Sequence, residues 1–183
     1  MTRRSDVLEL IRTRGYERRD EPFRLTSGAT SYDYIDGKRA ISDGQSLRLV
    51  AEAVVDVAGE AGIEFDVVGG LTMGADPLAH AISVLTGKGW FSVRKERKEH
   101  GKEHLVEGSA LPPGSRVLLV DDVITTGKSI LQALEAIQSL DDVEVVLAVA
   151  IVDRGEQARA QMGARGVPYQ PLLTYGDLGI EPV

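Results

Sequence analysis

The sequence predicts an α/β fold: a central, mostly parallel sheet with helices on both faces, preceded by a small N-terminal hood. Two observations predict it. Apolar, β-branched runs alternate with helix-length amphipathic stretches from about residue 45 onward, and alternation of that length builds a parallel sheet through right-handed crossovers. The chain has 183 residues, 43% hydrophobic and 27% charged, which suits one domain with an ordinary globular core. The expected organisation is residues 1–40 for an N-terminal helix and hood, and residues 41–183 for the core with a flexible loop at 94–110.

In chain order, Val7, Leu8, Leu10 and Ile11 recur at helical spacing behind Ser5 and Asp6 as capping residues, with Gly15 as the stop. Residues 23–36 alternate on both sides of a Ser-Gly turn and predict a hairpin outside the main sheet. Helices are expected at 45–61, 77–86, 128–139 and 156–162. Strands are expected at 66–69, 90–93, 116–120, 143–152 and 169–172. Residues 101–114 have little pattern of their own, and a link of that length in a compact domain is often functional.

The bulk charge narrows the function. With 28 acidic and 21 basic residues the net charge is −7, which argues against a nucleic-acid partner. There is no cysteine, so disulfide and thiolate–metal chemistry are excluded. No apolar run approaches a membrane span, and Met1-Thr-Arg-Arg leads into Ser5-Asp6 rather than a signal segment. The expectation is a cytoplasmic protein with no membrane partner.

The chemistry concentrates in "VLLVDDVITTGKS", Val117 to Ser129. A buried strand ends on two carboxylates, Asp121 and Asp122, at the carboxyl edge where ligands bind such sheets. Thr125, Thr126 and Gly127 then open a helix, offering hydroxyls, free N–H groups and a positive dipole end to an anion. Carboxylates for hydroxyls beside a nest for phosphate describe a phosphorylated-sugar pocket. Gly127-Lys128-Ser129 matches the tail of a nucleotide P-loop, but Asp122 stands where that motif needs glycine.

The segment resembles the phosphoribosyl-pyrophosphate (PRPP) motif of the type I phosphoribosyltransferases. That resemblance implies PRPP binding through Asp121, Asp122, Val123, Ile124, Thr125, Thr126, Gly127, Lys128 and Ser129, the two acids on the ribose hydroxyls and Thr125 to Ser129 around the 5-phosphate. A second segment, "RKERKEHG", opens a run of five basic and three acidic residues between Arg94 and His104. A mobile lid bringing cations over a departing pyrophosphate, while excluding water, explains such a run at a strand end. It is similar to the basic loop of the orotate phosphoribosyltransferase family.

This resemblance implies that Arg94, Lys95, Lys98 and His100 contact pyrophosphate, that Lys98 and Asp122 are catalytic, and that Thr125 and Arg154 bind orotate. It also implies Mg²⁺ as cofactor and a homodimer in which the basic loop reaches the neighbouring subunit's site. No dedicated metal ligands are assigned. The hood segment "FRLTSGATSYDYID" resembles the family's N-terminal segment, with Thr26 where many members carry lysine. "VVGGLTMGADPLA" resembles its pyrophosphate loop; there Met73 is expected to pack, Asp76 to cap the following helix and His80 to be structural. A purine phosphoribosyltransferase would share the sugar loop without needing Arg154. A PRPP-sensing nucleic-acid regulator would need a basic surface that the composition does not supply.

Overall fold

The computed structural model describes residues 2–25, 28–96 and 105–183. Helix α1 (Arg3–Leu10) passes through a π turn at Ile11–Gly15 into hairpin strands β1 (Tyr16–Arg24) and β2 (Thr30–Ile35), followed by a short helix, α2 (Gly37–Ala40). Then come α3 (Gly44–Glu60), β3 (Val67–Leu71), α4 (Asp76–Thr86), β4 (Gly89–Val93) and β5 (Val106–Gly108). The second half holds β6 (Arg116–Ile124), α5 (Lys128–Gln138), β7 (Glu144–Asp153), α6 (Gln157–Gly163), β8 (Leu173–Thr174) and α7 (Tyr175–Leu178).

The main sheet has the order β5-β4-β3-β6-β7-β8, all parallel except β5, which pairs antiparallel with β4. Side-chain alternation builds a core on each face. Leu118 and Val120 join Val50, Leu78 and Ile82 on one side, while Val117 and Leu119 join Ile130, Leu134 and Ile137 on the other. The hood hairpin is a separate two-stranded sheet, as its sequence predicts, but its first strand begins at Tyr16 rather than at Phe23.

Four local expectations are corrected. α1 starts at Arg3 with Thr2 as N-cap and no side-chain cap, so Ser5 and Asp6 lie inside the first turn, where the Ser5 hydroxyl donates back to the Thr2 carbonyl at 2.7 Å. The last strand is Leu173–Thr174 rather than 169–172, and Tyr169 makes only an isolated bridge to Ala148. Pro168 precedes that stretch and Pro171 lies within it, and neither has an N–H to give a ladder. The patternless link contains β5, whose three residues are too short to carry a period. β6 runs four residues past Val120, so both carboxylates lie within the strand.

That last difference follows from where strands part. β3 pairs with β6 only from Val67↔Val117 to Gly69↔Leu119, whereas β7 stays paired with β6 as far as Ile124↔Asp153. From β3 the chain builds outward through β4 and β5; from β6 it builds the other way through β7 and β8. The crevice between β3 and β6 is therefore the topological switch point, where open α/β sheets bind ligands.

Candidate functional site

Asp121 and Asp122 sit at that crevice, 4% and 8% exposed. Alternation along a strand would send them to opposite faces, yet both reach the loop after β3. A Cβ placed on Gly74 would lie 2.8 Å from Oδ1 of each. Only a residue without a side chain lets this loop close over the pair. The two carboxylates are fixed locally: Asp121 Oδ1 accepts from the Asp122 N–H at 2.9 Å, and Asp122 Oδ1 from the Val123 N–H at 2.8 Å. Burial first, and then the neighbouring Asp122 charge, push the Asp121 carboxyl up to about 7.

Downstream, Asp121 and Val123 to Ser129 line a cavity of about 180 Å³. Gly127 takes φ +80° and is the N-cap of α5 without any side-chain cap bond. The first intrahelical acceptor, Gly127 O, is used by Leu131 N, which leaves the first-turn N–H groups turned toward the cavity.

A second cavity, of about 370 Å³, lies under the hood. Its lining includes Phe23, Tyr34, Lys38, Asp122, Thr125 and Arg154. Arg154 is 2% exposed, and its Nε has no hydrogen-bond partner among the described residues. Its Nη2 donates to Ser31 Oγ of β2 at 3.1 Å. Burial lowers its pKa, opposed by the charge of Asp33. Asp153, raised by burial, accepts from Gly155 N and from the Tyr169 hydroxyl, fixing the turn that presents Arg154. An uncompensated buried guanidinium is costly, and a planar carboxylate accepting both N–H groups relieves that cost.

The roof is built by the hairpin. Arg19 lies over both Phe23 and Tyr34, 4.6 and 4.5 Å from the ring centroids, and the two rings meet edge-on at 5.5 Å. Asp33 accepts from the Tyr16 hydroxyl and from Arg18.

The phosphoribosyl transferase domain family matches residues 39–168. The orotate phosphoribosyltransferase of Pyrococcus abyssi is 42% identical over 156 residues, 85% of each chain, and that of Aquifex aeolicus is 37% identical, covering 97% of this chain and 98% of its own. The Mycobacterium tuberculosis H37Rv orotate phosphoribosyltransferase, solved in complex with PRPP, superposes with a TM-score of 0.79 at 36% identity over 98% of this chain and all of that one. The chain belongs to the orotate phosphoribosyltransferase family.

As a member of the orotate phosphoribosyltransferases, it brings some expected site residues together and separates others. Asp121, Asp122 and the Val123–Ser129 loop are contiguous, and Thr125 and Arg154 share the hooded cavity. Arg94 and Lys95 line a different groove of about 700 Å³ with Asp76, His80 and Trp90. There Arg94 pairs with Glu107 at 2.9 Å, and the Lys95 carbonyl accepts from Gln132 Nε2. Lys98, His100 and Thr26 lie outside the described residues.

Two minor expectations are corrected. Met73 does not pack; it is 69% exposed, because the loop that closes over the acids turns it outward. Asp76 does not cap α4, which has no side-chain cap. Its carboxylate accepts from Thr72 Oγ1 at 2.6 Å and Ser92 Oγ at 2.7 Å, tying the loop to β4. His80 meets Trp90 edge-on at 4.4 Å.

The sequence reading missed Lys38, and it placed Ser31 only within the hood segment, with no partner assigned. Lys38 donates to Asp122 Oδ2 at 2.9 Å, and that bond is the leading reason its pKa is raised. Neither residue belongs to a spaced motif. The one local trace of Lys38 was the preceding Gly37, whose Cβ would press on Asp122 Cβ at 3.1 Å.

Proposed function

We propose that this chain transfers the 5-phosphoribosyl group from PRPP to orotate, forming orotidine 5′-monophosphate and pyrophosphate in pyrimidine biosynthesis. The observation that carries the reading is Arg154: a buried guanidinium whose Nε has no partner among the described residues, lining a cavity that also holds Asp122 and Thr125. Orotate is a flat base with a carboxylate, and that carboxylate offers Arg154 two acceptors in one plane.

In this reading the ribose hydroxyls meet Asp121 and Asp122, while the 5-phosphate sits in the 180 Å³ cavity on the N–H groups of residues 125–129. The base held by Arg154 then has its N1 facing the anomeric carbon. The N1–C1′ bond forms as the C1′–oxygen bond to pyrophosphate breaks; the electron pair leaves with pyrophosphate and the N1 proton is lost. The acids of the ribose site favour the positive charge that grows on the sugar in between. Positioning of two anions and one base supplies much of the rate.

Arg94, Lys95, Lys98 and His100 are assigned to the leaving pyrophosphate, with Lys98 leading. Arg94 and Lys95 line a groove apart from the ribose acids of their own chain, which supports service to a second subunit. The exposed apolar side chains Val84, Leu85 and Trp90, on α4 and β4, offer that homodimer a surface. The described residues hold no group of three or more His, Asp or Glu able to cage a metal. The hard oxygen donors at the sugar suit Mg²⁺ carried in by PRPP and water, where it supplies charge neutralisation. The proposed setting is the cytoplasm; among the described residues no helix is long and apolar enough to cross a membrane.

The deciding experiment is an ultraviolet assay of orotate consumption with PRPP and Mg²⁺, run beside adenine and hypoxanthine. Orotate alone is expected to be consumed; turnover of a purine instead would refute the assignment. Mixing a Lys98→Ala chain with an Arg154→Met chain is expected to restore part of the activity that each lacks alone, which only a shared site allows.

A further inference from the structure

We propose that Lys38 is a positioning residue for PRPP, one that aims the open oxygen of Asp122 at the ribose. The inference rests on the PRPP half of the functional reading and not on the identity of the base. Asp122 has one oxygen, Oδ1, committed to the Val123 N–H. Its other oxygen, Oδ2, is the one left to meet a hydroxyl, and Lys38 Nζ holds it at 2.9 Å. A carboxylate gripped at both oxygens has lost rotation about its last side-chain bond, so its remaining lone pair points in one direction.

An exposed lysine–carboxylate pair is ordinarily worth little. Three features set this one apart. Asp122 is buried, 8% exposed, while the ammonium, on a side chain that is 52% exposed, comes from a different element 84 residues away. The backbone carrying Lys38 is anchored: Asp36 N donates to Gly15 O at 2.8 Å, and Asp36 Oδ1 accepts from Arg39 N, capping α2. Gly37 is pressed against the strand, since a Cβ there would meet Val123 Cγ2 at 3.0 Å and Asp122 Cβ at 3.1 Å. α2 is thus fitted onto the acid, and the lysine follows from that fit.

Lys38 lines the hooded cavity beside Arg154, but the two side chains are bonded to different parts of the molecule. Arg154 is held by Ser31 of the hood, whereas Lys38 is bonded to the sugar-facing acid. Losing Lys38 should therefore weaken PRPP more than orotate. Removing one charge-assisted hydrogen bond from a buried acceptor corresponds to roughly a 10- to 100-fold change in affinity.

The test compares wild type, Lys38→Met and Lys38→Arg. PRPP binding is titrated calorimetrically with Mg²⁺ and no base, and steady-state KM is measured for both substrates. Lys38→Met is expected to bind PRPP about 10-fold or more weakly, with orotate KM raised less than PRPP KM and a single cooperative urea transition retained. Lys38→Arg is expected to restore most of the PRPP affinity. Wild-type PRPP affinity in Lys38→Met would overturn the proposal, as would a rise confined to orotate KM or failure of arginine to rescue. Because the calorimetry needs no base, it tests Lys38 even if wild-type protein does not consume orotate.

Discussion

Replacing Asp121 with asparagine should make the protein more stable and less able to bind PRPP, and the gain should depend on pH. Asparagine keeps a carbonyl oxygen for the Asp122 N–H that Asp121 Oδ1 now accepts, so the local turn survives. What disappears is a charge that is 4% exposed beside a second carboxylate. The folded protein holds the Asp121 proton up to about pH 7, whereas the ordinary value is 3.8. Between those values the folded state binds more protons than the unfolded one, so this residue's contribution to stability falls as pH rises from about 4 to about 7 and is level above that. The gap corresponds to roughly 4 kcal/mol at pH 8. Asp121→Asn should therefore match wild type near pH 4 and exceed it by up to about 4 kcal/mol at pH 8. Urea unfolding at the two pH values reads the difference directly. Saturating wild type with PRPP at about 100 times its Kd should return about 2.7 kcal/mol that the variant does not regain. An equal effect at both pH values, or destabilisation at pH 8, would refute the argument that this buried acid is kept at the expense of the fold.

Three further outcomes follow from the geometry. Gly74→Ala places a methyl 2.8 Å from both Oδ1 atoms, so PRPP affinity by calorimetry should drop at least about 10-fold while stability changes by only about 1 kcal/mol, the loop being free to lift. Ser31→Ala removes the acceptor of Arg154 Nη2; orotate KM should rise about 10-fold with PRPP KM unchanged, as expected when a buried charged donor loses its bond. Gly69→Ala sets a Cβ 2.2 Å from the Phe91 carbonyl, and chemical denaturation should show a loss of about 3 kcal/mol or more, because backbone in a paired strand cannot give way.

The strand–helix alternation was readable because each element carries its own period, as the two faces of β6 illustrate: Leu118 and Val120 to one core, Val117 and Leu119 to the other. The segment after β6 stood out because its chemistry is local, acids and hydroxyls on consecutive residues. What escaped was long-range. Lys38 meets Asp122 across 84 positions and Ser31 meets Arg154 across 123, and no spacing encodes either meeting. The register of the last strand escaped for a different reason. The apolar run from Tyr169 to Leu173 is interrupted by Pro171, and only the ladder shows that pairing resumes beyond it.

The hooded cavity draws its walls from two structures that share no ladder. Its floor, with Arg154 and Thr125, belongs to the large sheet; its ceiling, with Phe23 and Tyr34, belongs to the hairpin. Substitutions in the ceiling can therefore reshape the cavity without disturbing the pairing that positions Asp122 and Thr125 beneath it. Under the proposed function, base choice and sugar chemistry would in this sense be separately adjustable, with the Arg154–Ser31 bond as a point where a change in one is felt by the other.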